Sequence, residues 1–144
     1  MKHLPTIATT MTPFPHAIDI NDTLGRAHVM MQEHGFHHLP VTEGGQVVGI
    51  LSESELRHVG GPFTGISSVS DLLVKDICST RVFTIDIHDR LDLVMAVMAE
   101  KHVDAAVVTR MGKLAGILTA SDAMRKFAEV LEALRPPSGG GEAA

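Results

Sequence analysis

The sequence states one pattern twice, 67 residues apart. Gly49-Ile50-Leu51-Ser52-Glu53-Ser54-Glu55 is matched by Gly116-Ile117-Leu118-Thr119-Ala120-Ser121-Asp122, and no gap is needed anywhere between Ile18 and Leu56. Fourteen of those 39 positions are identical to the residue 67 places on, among them Ile18, Asp19, Ile20, Asp22, Leu24, Met31, Glu33, Val41 and Thr42. A period this long does not read as a solenoid, whose units are shorter and need at least three copies to bury a core. Two copies predict a pseudo-two-fold pair in which each half buries the face the other exposes. Clefts between such halves come in twos, and function is expected there.

At 144 residues the chain has the mass for one compact domain, or two intimate half-domains, to bury most of its unfolded surface. Its formal charge of −5 argues against non-specific nucleic-acid binding, which needs a basic footprint, and no Trp or Tyr is present to stack bases. Cys78 is the single cysteine, so no intramolecular disulfide forms and a reducing compartment is expected. Residues 1–5 lack the apolar run of a signal peptide, and no stretch has the length to span a bilayer. The expectation is a soluble, cytoplasmic protein with no membrane or nucleic-acid partner.

Within repeat one, Asp22 is placed to cap a helix running to about His34, with Gly35 as its stop. Leu39-Pro40-Val41 reads as a short strand, 43–46 as a hairpin turn and Val47 to Leu51 as the returning strand. Ser52 then caps a second helix, with Ser52-x-x-Glu55 as a capping box. Repeat two copies this layout: Asp89 caps a helix to about His102, Ala105 to Val108 is a strand, 110–113 turns and Leu114 to Leu118 returns. Thr119 caps a longer final helix with an apolar stripe of Ala123, Phe127, Val130, Leu131 and Leu134. The boundaries expected are 1–60 for repeat one, 61–72 for a Gly- and Ser-rich linker and 73–135 for repeat two. A short helix is expected from Ser70 or Asp71 through Lys75, and disorder in the Pro- and Gly-rich 136–144.

A unit of strand, helix, strand, strand and helix, ending in Gly-apolar-apolar-Ser/Thr-x-x-Asp/Glu, resembles the cystathionine-β-synthase (CBS) domain over residues 7 to 132. Met11-Thr12-Pro13 looks like the family's frequent start, followed by a first strand near Ala17-Ile18. His38-Leu39-Pro40-Val41 looks like its apolar-Pro-Val strand, and both Gly-Ile-Leu segments match its signature. The resemblance implies an α/β (α+β) fold of two pseudo-symmetric β-α-β-β-α half-domains packed as one pair, with two related clefts. It also implies a ligand containing adenosine, such as AMP, ADP, ATP or S-adenosylmethionine. The acidic residue of the Ser/Thr-x-x-Asp motif would hold the ribose diol, and the pair would act as a sensor rather than a catalyst, with no cofactor required.

The chemistry of the residues fits that role. An ionised carboxylate accepts hydrogen bonds through two oxygens, which suits the two hydroxyls of a cis-diol. Thr119, Ser121 and Asp122 sit at the first turn of a helix, where free N–H groups favour a polar or anionic ligand. By analogy with the family, the facing wall of this second cleft is Thr12, His16, Phe36, His37 and His38, the two histidines approaching a phosphate. The first cleft, formed by Ser52, Glu55, Thr80, Val103 and Asp104, is the weaker one. Glu55 carries an extra methylene, and Asp104 stands where a basic residue is often found. Both motifs also serve as helix caps worth about 1 kcal/mol each, which does not exclude binding.

Nine histidines invite a metal reading, but no HExxH and no zinc-ligand pairs at standard spacing are present, so a metal-responsive protein ranks third. Met30, Met31, Met95 and Met98 read as core. Ser52 and Ser121 lack a GxSxG context, and no nucleophile, base and orienter stand together, so catalysis is not expected. The resemblance implies flat dimers through helices like those over 23–34 and 90–101, and Leu91, Val94, Met95, Val97 and Met98 cover more than one face of their helix, so a homodimer is expected. The expectation is therefore a stand-alone regulatory module that binds an adenine nucleotide or S-adenosylmethionine and reports to an unknown effector protein. Its rival is a ligand-free dimerisation or adaptor module.

Overall fold

The repeat reappears in space as two half-units of the same order. The structure, a computed structural model, describes residues 4–13, 16–59 and 71–137. The chain starts with a short helix α1 (Ile7–Thr10) and strand β1 (Thr12–Pro13). Repeat one follows as β2 (Ile18–Asp19), α2 (Leu24–His34), β3 (His38–Glu43), β4 (Gln46–Ser52) and α3 (Glu53–Val59). After a 3-10 turn at Val74–Asp76, repeat two is β5 (Thr84–Asp86), α4 (Leu91–Lys101), β6 (Ala105–Arg110), β7 (Lys113–Thr119) and α5 (Ala120–Leu134). The expected mixed α/β pair is thus formed, with sheet orders β2-β3-β4 and β1-β7-β6-β5. Leu39, Pro40 and Val41 are buried three in a row, as are Ala106, Val107 and Val108. Such runs mark strands covered on both faces.

Local chemistry sets the helix ends, and two expected caps shift by a residue. Thr23, not Asp22, caps α2: its extended backbone lets the hydroxyl accept from Arg26 N–H at 3.2 Å. Asp22 instead pairs with the Arg26 guanidinium at 3.7 Å. In repeat two the cap position is Arg90, which makes no side-chain cap bond, and Asp89 closes the preceding turn by accepting from Asp86 N–H at 2.9 Å. Gly35 ends α2 in the left-handed region at φ +69°, and His102 ends α4 there at +55° without glycine's freedom.

The decisive tertiary feature is an exchange of leading segments. Ile7 of α1 is fully buried in the core of repeat two, among Ile85, Leu91, Met98, Val108 and Leu118. Val74, its counterpart 67 residues on, is fully buried in the core of repeat one, among Ile18, Leu24, Met31 and Leu51. β1 pairs antiparallel with β7, Thr12 opposite Ile117, and Ser79 makes the equivalent bridge to Ile50. Each half is therefore completed by a strap from the other.

Two further expectations differ from the fold. The stripe on α5 is packed only in part: Ala123 is buried and Val130 half-buried, while Phe127, Leu131 and Leu134 are exposed. Of the apolar residues on α4, Leu91, Val94 and Met98 are in the core, while Leu93 faces outward. The segment expected to be helical through Lys75 contributes the 3-10 turn at Val74–Asp76. Residues 61–70 of the expected linker over 61–72, and 138–144 of the tail, lie outside the described residues. Among the described residues no helix is long and apolar enough to cross a membrane.

Candidate functional site

The start of α5 holds a buried carboxylate, Asp122. Thr119 and Asp122 close a capping box: the Thr119 hydroxyl accepts from Asp122 N–H at 3.0 Å, and Asp122 Oδ2 accepts from Thr119 N–H at 3.0 Å. Thr12, carried across on β1, brings its hydroxyl to 3.5 Å from the same Oδ2. The Arg125 guanidinium donates to Oδ1 at 3.2 Å. Asp122 is 7 % exposed and every partner it needs is present. Ser121, beside it, is exposed.

The facing residues divide into separate groups. His16 stacks on His34 with ring centroids 3.9 Å apart, and Phe36 closes a three-ring cluster at 5.6 and 5.7 Å. His34 was not among the expected site residues; only the reversal at Gly35 folds Phe36 back over it, and the linear sequence carries no signal of that contact. His37 turns to its own repeat, with Nδ1 3.1 Å from Glu53 Oε1 and its carbonyl accepting from Glu53 N–H at 2.8 Å. Arg57 joins this network, 3.5 Å from the same carboxylate.

His38 is half-buried, and burial pushes its imidazole below the usual 6.5. Asp104 pulls it back up, His37 pushes it down, and Glu55 and Asp122 also raise it.

The first cleft is built differently. Ser52 and Glu55 close the same reciprocal box, Glu55 Oε1 accepting from Ser52 N–H at 2.8 Å and the Ser52 hydroxyl from Glu55 N–H at 3.1 Å. Here the hydroxyl also lies 3.2 Å from Oε1, and no residue of the opposite repeat is bonded to the carboxylate among the bonds of the described residues. Cys78, which takes the place Met11 has in the other cleft, lies against Gly49; burial pushes its thiol above 9.0, and Glu55 adds to that. Thr80 is exposed. Val103 and Asp104 line a groove of about 390 Å³ between α4 and α5. A smaller hollow of about 140 Å³ lies beside Asp122, walled by Thr9, Thr10, Arg125, Lys126 and Glu129. Among the described residues no three His, Cys, Asp or Glu side chains gather to hold a metal ion.

Comparison with known proteins agrees with this architecture. The CBS-domain family matches residues 6–60 and 74–129. A protein of Vibrio cholerae assigned to acetoin utilization (AcuB) superposes with a TM-score of 0.77 at 21% identity, covering 94% of this chain and 100% of that one. CBSX2, solved in complex with AMP, gives 0.68 at 22% identity, with 88% of this chain and 98% of its own covered. The CBS domain of a bacterial CNNM/CorC family Mg2+ transporter, solved with ATP, gives 0.72 at 19% identity, with 85% and 87% covered. At these identities the likeness is one of fold.

Proposed function

The chain belongs to the CBS-domain family, and we propose that it is a regulatory module that takes an adenosine-containing ligand in the second cleft. AMP, ADP, ATP and S-adenosylmethionine are the compounds considered. The observation that carries the reading is Asp122, a buried carboxylate reached by Thr12 from the opposite repeat. A ligand there would touch both halves at once, so its binding would favour one relative arrangement of them. AMP in CBSX2 and ATP in the transporter domain support the ligand class.

In this reading the ribose diol takes over Asp122 Oδ1 from Arg125. That ion pair is two-thirds exposed on the arginine side, so its loss costs about 0–1 kcal/mol. The freed guanidinium then meets the ligand's phosphate, supplying a cation that the facing wall of histidines lacks. The module reports to a second copy or an effector protein in the cytoplasm, and no catalytic step is required.

The adaptor reading has its own observation. Both cleft carboxylates are already satisfied within the chain, Asp122 by Thr119, Thr12 and Arg125 and Glu55 by Ser52. Thermal unfolding against AMP, ADP, ATP, S-adenosylmethionine and NAD separates the two. Ligand at 100 times its dissociation constant adds about 2.7 kcal/mol, which is several degrees for a chain of this size. A shift lost in Asp122→Ala supports sensing; none at millimolar concentrations leaves the adaptor.

A further inference from the structure

The two hairpins of the repeat end in different tips. Between β3 and β4 the chain turns through Gly44 and Gly45, at φ +60° and +83°, with Glu43 opposite Gln46. Glycine enters these left-handed angles freely, so that tip carries no strain. Between β6 and β7 it turns through Met111 and Gly112, at φ +52° and +79°, with Arg110 opposite Lys113. Methionine at such an angle is uncommon, because its Cβ crowds the following carbonyl oxygen. Arg110 and Lys113 add a like-charge pair directly across the ladder, which is itself unfavourable. Met111 is also 89% exposed, the most of any large apolar residue among those described. Both hairpins shift register at the same step, Val41/Thr42 and Val108/Thr109, so the fold asks for none of these choices.

Strain, an exposed apolar side chain and two like charges at one point mark a contact surface, and the charges state its partner's sign. Among the described residues neither Arg110 nor Lys113 has a carboxylate within 4 Å. The acids on the adjoining strand serve their own loop: Asp86, level with Thr109, accepts from His88 N–H at 2.8 Å, and Asp89 from Asp86 N–H at 2.9 Å. Two cations flanking a flexible thioether suit a segment that offers carboxylates on either side of an apolar residue. A bilayer or a nucleic acid would bring its phosphates against much more of a chain whose charge is −5, whereas a short peptide segment meets the tip alone.

We propose that the tip over 110–113 is a docking point for an acidic segment of a partner protein, its carboxylates on Arg110 and Lys113 and one apolar side chain on Met111. This contact stands whether or not either cleft takes a nucleotide. The probe is a blocked pentapeptide of glutamates around a central leucine, titrated into the isotope-labelled full chain and read by amide and methionine-methyl NMR. Shifts are expected at residues 109–114 and the Met111 methyl, smaller with serine in place of leucine, absent with lysines in place of glutamates, and reduced by added salt. Arg110→Glu, Met111→Gly and Lys113→Gln together install the tip of repeat one. That variant is expected to lose the shifts, keep its far-ultraviolet circular dichroism and unfold at a higher urea midpoint. No shifts at millimolar peptide, shifts centred elsewhere, equal shifts from the lysine peptide, or shifts that persist in the triple variant overturn the proposal. A lower midpoint in that variant would make the tip a stabilising feature, and also overturns it. Tip-dependent co-sedimentation with anionic phospholipid vesicles, without peptide shifts, would assign the tip to a membrane instead.

Discussion

The carbonyl oxygen of Thr12 lies 2.6 Å from the point where a Cβ on Gly116 would stand. The same relationship recurs in the other half, where a Cβ on Gly49 would come within 2.8 Å of the Ser79 carbonyl oxygen. Neither glycine is needed for a left-handed backbone. Each is needed because the leading strand of the opposite repeat crosses directly over it. The glycine of each Gly-Ile-Leu segment is therefore a mark of the exchange between halves.

Gly116→Ala is expected to destabilise the protein by about 1–3 kcal/mol, the cost of overpacking against atoms that cannot retreat. A glycine with room and an ordinary backbone would gain about 0.4–1 kcal/mol from the same change. The sign of the shift in urea midpoint therefore tests the crossing, and Gly49→Ala should move the same way.

Ile7 is fully buried, yet it belongs to the leading segment of one repeat and the core of the other. Ile7→Ala is expected to cost about 2–5 kcal/mol. Because the straps tie the halves together, calorimetry should show one transition with equal calorimetric and van't Hoff enthalpies in both proteins. Two resolved transitions would mean that the halves fold separately.

His38 makes stability fall on mild acidification. Its folded-state pKa lies below 6.5, mainly through burial, so between that lowered value and 6.5 the unfolded chain binds the proton and the folded chain does not. Stability is then lost as pH drops through this window, and the loss from this group levels off below it. Urea midpoints measured from pH 7.5 to pH 5.5 should fall less steeply for His38→Gln; equal slopes would remove His38 from the account.

Arg125 separates cap from ligand site. Arg125→Ala is expected to change stability by less than about 1 kcal/mol, since the pair it breaks is largely solvated on one side. If the guanidinium passes to a phosphate on binding, the variant should weaken AMP, while adenosine, which no longer has to displace Arg125 from Asp122 Oδ1, should bind equally or slightly more tightly. Equal effects on both ligands would confine Arg125 to the diol carboxylate.

Asp122 has two duties that can be told apart. Asp122→Ala removes the acceptor for Thr119 N–H and is expected to cost about 0.5–2 kcal/mol without any ligand. Asp122→Asn keeps an oxygen for that bond and should cost less. Both should reduce ligand stabilisation, as read by unfolding temperature with and without AMP.

The sequence determined the repeat, and through it the order of strands and helices, the hairpins, the stop at Gly35 and the cap at Thr119. These are written in spacing: a period of two or 3.6, a turn residue, an acid three places after a hydroxyl. The pairing of Thr119 with an acid three places on was legible too, and so were the extra methylene at Glu55 and the charge at Asp104. The cap at Thr23 was missed because Asp22 and Thr23 are both good caps, and only the backbone angles choose between adjacent residues.

Tertiary structure alone decided which half each segment completes. Ile7 and Val74 are ordinary apolar residues, and nothing local tells them to enter the opposite core. It also decided that His34 joins His16 and Phe36, that Arg125 occupies Asp122, and that Phe127, Leu131 and Leu134 on α5 are left facing solvent. The reason is physical: periodicity shows that a face is apolar, but what covers it depends on contacts between residues far apart in the chain.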